Sequence, residues 1–213
     1  MTTNDADLVS RILAGDTGVF ELLMRRYNQR LYRSVRSILR DDAEAEDVVQ
    51  ESYVRAYAAL HQWNASAQFS TWLIRIGIHE ALARVKKNRR KIDWEDVPEV
   101  VESSRDADPE GQLIDRDMRE RLQRSVEALP EGTRAVFILR EVEGLSTAEA
   151  ADCLEISEDA VKTRLHRARS QLRELLVSHE GLVEAELFPF HATRCDRVVA
   201  AVIAMIEARR ASS

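Results

Sequence analysis

Two stretches of this sequence concentrate positive charge without any acidic residue. Segment 84–91 (RVKKNRRK) carries six Lys and Arg residues, and segment 162–173 carries five together with His166. Cations of this kind neutralise phosphates, and Arg or Lys on an exposed helix face can bind guanine edges in a major groove. Each run alone is also compatible with a solvated helix face. Nucleic acid is therefore the first candidate ligand.

Aromatic side chains precede the first basic segment. Trp63, Phe69 and Trp72 lie shortly before His79 and that segment. Bases of a single strand stack on aromatic rings while cations neutralise the backbone, so this combination fits an unstacked strand. The alternative is that Phe69 and Trp72 are core residues.

Acidic residues are segregated as well. Segment 41–51 (DDAEAEDVVQE) has six acids and no base, and segment 93–110 has eight acids against the single Arg105. Acids in the first turns of a helix interact favourably with its dipole, which is a local structural role. The separation of the two signs of charge also favours two kinds of partner surface, although the net charge is −6.

Motifs typical of enzymes are missing from the sequence. It has no Gly-rich phosphate loop, no HExxH and no paired CxxC, and its five His residues are scattered. His191 and Cys195 are four residues apart, but two ligands do not make a metal site. We therefore expect no enzymatic activity, no metal and no cofactor.

Composition predicts the fold class. The 213 residues are 45% hydrophobic and 32% charged, with only seven Gly and four Pro, which favours an all-α protein. No apolar run approaches the roughly 18 residues of a membrane span, and the first residues lack the pattern of a signal peptide. We expect a cytoplasmic protein without membrane insertion.

Apolar periodicity and capping residues predict the helices. One amphipathic helix runs from Phe20, the basic segment 84–91 ends another, and segment 93–115 has the composition of a linker. Asp41 or Asp42 is expected to cap one helix, and Ser70 or Thr71 to cap the next, which would begin at Trp72. Further along the chain, Ser146 with Glu149 has the spacing of a capping box, and Ser157 is expected to cap the helix that follows it.

A helix-turn-helix is expected after the linker. Pro130 suits the start of a helix that ends at Gly144, and a short connection at 154–157 precedes a helix rich in Arg and Lys. The side chains expected to face inward on that last helix are Val161, Leu165, Ala168 and Leu172.

A further amphipathic helix is expected in the C-terminal tail, with Thr193 and Asp196 at capping-box spacing. Its apolar stripe, which includes Val198 and Val202, needs a partner. We expect it to pack onto the second domain; the alternative is a partner or regulatory surface.

Three segments, 42–57, 69–90 and 129–172, resemble regions 2 and 4 of bacterial sigma70-type factors. The layout without a middle domain is similar to the extracytoplasmic-function (ECF) subgroup, and the resemblance covers about residues 8–177. It implies two small helical domains joined by an acidic flexible linker, plus a C-terminal amphipathic helix. The implied boundaries are 1–92 for sigma region 2, 93–115 for the linker, 116–178 for sigma region 4, and 179–213 for a C-terminal extension.

The resemblance implies a specificity subunit that recruits RNA polymerase core and directs promoter-specific transcription initiation, while the polymerase supplies the catalysis. Implied partners are the clamp of the largest polymerase subunit, the flap of the second largest, promoter DNA and an anti-sigma factor. Outward-facing side chains implied for core binding are Glu46, Asp47, Gln50 and Glu51. Those implied for the minus-10 element are Phe69, Trp72, His79, Arg84, Lys86, Lys87, Arg89 and Arg90. Those implied for the minus-35 element are Lys162, Thr163, His166 and Arg167.

His79 stands where the family usually has Asn. Imidazole offers one donor and one acceptor when neutral and two donors when protonated, so the preferred minus-10 base stays open. Two other functions also remain open from the residues alone. The chain could be an ordinary helix-turn-helix regulator that binds a palindrome as a homodimer, or an adaptor whose basic faces bind only proteins.

Overall fold

The computed structural model describes residues 4–92, 121–178 and 187–211, and this described part contains helices and turns but no β-strand. The helices are α1 (Asp5–Leu13), α2 (Phe20–Arg36), α3 (Asp42–Ala58), α4 (Phe69–Ile92), α5 (121–127), α6 (Glu131–Phe137), α7 (Thr147–Leu154), α8 (Glu158–Ser178) and α9 (Ala192–Ala211). The predicted all-α class and the C-terminal helix are confirmed. The predicted linker 93–115 lies outside the described residues. Among those residues, no helix combines the length and apolarity that crossing a bilayer requires.

Helices α1–α4 form the first bundle, in which α2 packs against both α3 and α4. The stripe that starts at Phe20 is buried as predicted, and Asp41 caps α3 by accepting a hydrogen bond from the Glu44 amide at 2.7 Å. Gly77 allows α4 to approach α2 closely, because a Cβ there would lie 2.5 Å from Leu31 Cδ1. The bundle fixes the relative positions of α3 and α4, which carry most of the predicted site residues.

The predicted start of α4 is wrong by three residues. The helix begins at Phe69, so Ser70 and Thr71 lie within its first turn instead of capping it. The Phe69 ring is buried against Tyr27, Trp63 and Trp72, with ring centroids 5.4–5.5 Å apart. This aromatic packing stabilises a first turn that begins at Phe69, three residues before the start that the hydroxyl groups of Ser70 and Thr71 indicated.

Helices α5–α8 form the second bundle, and its predicted signals are confirmed. Pro130 precedes α6, and a five-residue π-helical stretch (Ile138–Val142) extends α6 towards Gly144, which has a φ of +71°. Ser146 and Glu149 form a reciprocal capping box at the start of α7. Ser157 accepts a hydrogen bond from the Ala160 amide at 3.2 Å and so caps α8. Helices α7 and α8 pack against each other on either side of a short turn, which is the predicted helix-turn-helix.

The expected partner of the C-terminal helix is wrong. Helix α9 packs on α3 and α2 of the first bundle, not on the second bundle, and Thr193 lies inside its first turn. Gln29 on α2 donates a hydrogen bond to the Phe188 carbonyl at 2.8 Å and accepts one from the Phe190 amide at 2.7 Å. These bonds direct the chain onto α2 just before α9, and arginines of α9 then meet the acids of α3.

Candidate functional site

The four side chains expected to bind polymerase core lie along α3, but they are not equally accessible. Asp47 and Glu51 are exposed and Gln50 is half-buried. Glu46 is only 9% exposed, because Arg194 and Arg197 of α9 approach its carboxylate to 3.2 and 2.8 Å. The expectation that all four face outward is therefore wrong for Glu46 in this arrangement.

Asp42, one turn before Glu46, is held in the same way. Its carboxylate lies 2.6 Å from Arg36 Nε and 3.1 Å from Arg194 Nη2. Burial raises the pKa of Asp42, but the ion pairs outweigh it and the net pKa is lowered. The carboxylate is therefore ionised at neutral pH and attracts the arginine of α9.

Helix α4 carries the residues expected at the minus-10 element. Phe69, which is expected to support the minus-10 site together with Trp72, is buried and packs against the Trp72 ring, so the Phe69 ring has no surface of its own for DNA. Lys86 and Lys87 are exposed, whereas Arg84 Nη2 lies 2.8 Å from Glu51 of α3. The side chains of Arg89 and Arg90 lie outside the described residues.

Helix α7 and the residue that ends it face this side of α4. Thr71 donates a hydrogen bond to Glu149 at 3.2 Å, and Arg75 lies 2.7 Å from Asp152. His79 Nε2 lies 3.7 Å from a carboxylate oxygen of Glu155. Since positions 71, 75 and 79 share one helix face, α7 faces the side of α4 that carries His79.

Buried polar contacts also join the two bundles. Glu143, 5% exposed, lies 2.8 Å from Arg30 and 3.2 Å from Arg33 of α2, and its own burial raises its pKa. Arg134 donates a hydrogen bond to the Ser37 carbonyl at 2.7 Å, and burial lowers the pKa of Arg134 to about 10. No sequence pattern indicated these contacts, because the partners lie about a hundred residues apart in the chain.

Helix α8 brings its predicted minus-35 side chains to one exposed face. Lys162, Thr163, His166 and Arg167 are all exposed. The opposite face, formed by the four residues predicted to point inward, is buried. The Thr163 hydroxyl donates a hydrogen bond to the Asp159 carbonyl at 2.8 Å. Lys162 Nζ lies 3.1 Å from Asp159 on the same helix, and all four side chains are accessible to solvent.

Of the two residues considered as metal ligands, His191 is exposed and Cys195 is half-buried. Cys195 Sγ accepts a hydrogen bond from Asn28 Nδ2 at 2.9 Å. Within the described ranges, no group of three or more His, Cys, Asp and Glu side chains is placed to hold a metal ion.

Comparison with known proteins agrees with this arrangement. Residues 23–91 match the family model for sigma-70 region 2, and residues 119–172 match the model for sigma-70 region 4. The chain is 31% identical to the RNA polymerase sigma-H factor of Pseudomonas aeruginosa over 81% of its own length and 93% of that protein. It is also 31% identical to the ECF RNA polymerase sigma-E factor of Escherichia coli K12, over 79% and 92% of the two lengths.

A solved structure is similar as well. CnrH, determined in complex with the cytosolic domain of CnrY, shares 26% identity and a TM-score of 0.52, covering 81% of this chain and 97% of CnrH. The two family-model matches and these relatives place the chain in the class of transcription initiation factors. The chain belongs to the sigma-70 family and to its ECF group, whose members direct promoter-specific transcription initiation by RNA polymerase.

Proposed function

We propose that this sigma factor uses three separate surfaces, one to bind polymerase core and two to bind promoter DNA. Residues 1–92 dock on polymerase core through α3 and capture the minus-10 element through α4, while residues 116–178 read the minus-35 element through α8. Residues 93–115 join the two domains, and 179–213 form an extension. The observation that carries the proposal is the exposed α8 face, where four polar or basic side chains lie opposite a buried apolar stripe.

The docking surface is the acidic side of α3. Asp47 and Glu51 are exposed there, Gln50 is partly exposed, and Glu46 lies on the same helix. We assign this surface to the clamp of the largest polymerase subunit, and the second domain to the flap of the second largest. An acidic helix suits a basic partner because opposite charges speed encounter and fix its register.

The minus-10 surface combines Trp72, His79 and the basic end of α4. Extracting a base from the duplex costs a few kcal/mol, which stacking and hydrogen bonding in a protein site can offset. Trp72 rests on Phe69 with ring centroids 5.5 Å apart, so the core holds the ring in place. Lys86 and Lys87 are exposed and suited to the DNA backbone.

The minus-35 surface is the exposed face of α8. Arg167 and Lys162 suit guanine edges or phosphates, and each good base contact contributes about 1–3 kcal/mol of discrimination. Binding is expected to depend steeply on salt. If about six phosphates are engaged, the affinity falls roughly 10³-fold between 50 and 200 mM salt.

Further partners follow from the family. CnrH was solved with the cytosolic domain of a second protein, and an anti-sigma factor is the partner that the family implies for this chain. The chain would act in the cytoplasm, where polymerase and promoter are found. RNA polymerase carries out the synthesis, so the sigma factor itself needs no catalytic group or cofactor.

The docking assignment is tested by core binding. Asp47→Ala and Gln50→Ala together are expected to weaken the binding of purified core polymerase about tenfold or more, since hydrogen bonds to charged groups contribute roughly 1.5–3 kcal/mol each. Asp7→Ala, at an exposed acid of α1, is the matched control and should bind as wild type. Unchanged core binding in the double variant would refute the assignment.

The DNA assignments are tested separately, on promoter fragments bound by the holoenzyme. Arg167→Ala is expected to lower the affinity and to relax the preference at one minus-35 position. Lys87→Ala is expected to weaken binding to all sequences alike and to reduce the salt dependence by about one unit. Specific binding of the isolated chain to a palindromic duplex as a homodimer would instead support an ordinary helix-turn-helix regulator.

A further inference from the structure

We propose that α9 is a built-in competitor of RNA polymerase, which covers Glu46 of the docking surface on α3 until the polymerase displaces it. The inference rests on the proposed function of α3. The two can fail separately, because the position of α9 is measurable without polymerase.

Charge complementarity identifies α3 as the partner of α9. Arg194 lies within 3.2 Å of both Asp42 and Glu46, and Arg197 lies 2.8 Å from the other carboxylate oxygen of Glu46. Arg194 also donates a hydrogen bond to the Tyr32 hydroxyl at 2.9 Å. A basic helix therefore binds Asp42 and Glu46 of α3 and leaves Asp47 and Glu51 exposed, and its attraction to the acids of α3 is the chemistry that the proposed docking on polymerase requires.

Apolar contacts hold the helix in place along its length. Val198, Val199, Val202 and Ile206 of α9 are all buried, and α9 packs on α3 more extensively than on α2. Burial of four aliphatic side chains stabilises the contact far more than partly exposed ion pairs do. The arginines therefore set the position of α9, while the aliphatic stripe supplies most of its affinity for α3.

The segment before α9 is anchored independently. The side-chain amide of Gln29 donates to the Phe188 carbonyl and accepts from the Phe190 amide, and the Phe190 ring packs on Tyr32 with centroids 4.6 Å apart. Arg33 donates one hydrogen bond to the Leu187 carbonyl at 2.9 Å and a second to Glu143 of the other bundle at 3.2 Å. Arg33 therefore contacts both the segment before α9 and the second bundle.

The consequence is a closed state with two covered surfaces. Helix α9 covers Glu46 on α3, and α7 faces His79 on α4. Polymerase can dock through Glu46 only on chains from which α9 is detached, which we call open chains. The apparent affinity for polymerase is therefore the affinity of an open chain multiplied by the fraction of chains that are open. An open fraction of about one tenth weakens apparent binding about tenfold.

The test compares core polymerase binding by variants of the full chain. Arg194→Ala combined with Arg197→Ala frees Glu46 and should bind core about tenfold tighter than wild type. Arg210→Ala, which removes one positive charge from the same helix, is the control. It lies about 20 Å beyond Arg197 along the helix axis and donates to the Thr17 hydroxyl at 3.2 Å, so wild-type affinity is expected. A chain that ends at residue 186 should equal or exceed the double variant.

Amide exchange of α9 without polymerase gives the second readout, and it should be faster in the double variant than in wild type. Equal or weaker core binding by the double variant, despite faster exchange, would overturn the competitor role. Slow exchange in both proteins, or no core binding by any variant, would overturn it too. If the open variants bind core tightly but Asp47→Ala with Gln50→Ala leaves that binding unchanged, the docking assignment fails instead.

Discussion

Val202→Ala is the clearest way to measure how firmly α9 is held. Val202 is fully buried between α9 and the first bundle. Removal of two carbons from such a site costs about 2 kcal/mol, counting the lost transfer free energy and a small cavity. The higher helix propensity of Ala offsets about 0.5 kcal/mol. The docked state of α9 should therefore lose about 1.5 kcal/mol, which raises the detached population roughly tenfold.

Native-state hydrogen exchange with mass spectrometry measures that population directly. Peptides from α9 in the Val202→Ala variant should exchange about tenfold faster, while peptides from α2 and α4 keep their wild-type rates. Met205→Ala is the control, because Met205 lies on the same helix and is 36% exposed. Wild-type exchange of α9 in the variant would refute the packing argument. Equal acceleration in α2 and α4 would show that α9 does not detach as a unit.

Three further predictions concern packing, reactivity and pH. Gly77→Ala should lower the free energy of unfolding by about 1–3 kcal/mol, because the added Cβ would lie 2.5 Å from Leu31 Cδ1. Thermal unfolding measures this, and an unchanged melting temperature would contradict it. Burial raises the pKa of Cys153 to about 12, so iodoacetamide at pH 8 should spare it in the folded chain, and rapid native alkylation would argue against its burial. Burial raises the pKa of Asp42, but the ion pairs with Arg36 and Arg194 outweigh burial and lower it. The ion pair of Asp42 with Arg194 therefore helps to hold α9 above about pH 4, and this contribution is lost as the pH falls through the pKa of Asp42 in the folded chain. Spin-label distances between α2 and α9 should lengthen as the pH is lowered from 7 through the folded pKa of Asp42, and a distance that stays constant until the chain unfolds in acid would exclude this contribution.

Local signals predicted most of the individual helices. The apolar stripe of α2, the Asp41 cap of α3, and the capping box of Ser146 with Glu149 all depend on residues within one or two turns of each other. The exposed and buried faces of α8 followed from helical periodicity in the same way. These features are determined by short-range geometry, so the sequence contains them directly.

Features that depend on distant partners were not predictable in this way. The buried aromatic cluster around Phe69, not a hydroxyl cap, determines where α4 begins. The apolar stripe of α9 showed that the helix needs a partner, but its partner became evident only when Arg194 and Arg197 met Glu46. The contact between Arg33 and Glu143 spans 110 residues and likewise left no local trace.

The most direct test of competition between α9 and polymerase is a distance measurement on the full chain with and without polymerase core. Spin labels at the exposed positions Leu22 on α2 and Ala204 on α9 report whether the helix is docked, with Cys195→Ser removing the other accessible thiol. We predict one short distance for the free chain and a longer, broader distribution once stoichiometric core is bound. An unchanged short distance in a chain that co-elutes with core would contradict displacement of α9 by the polymerase.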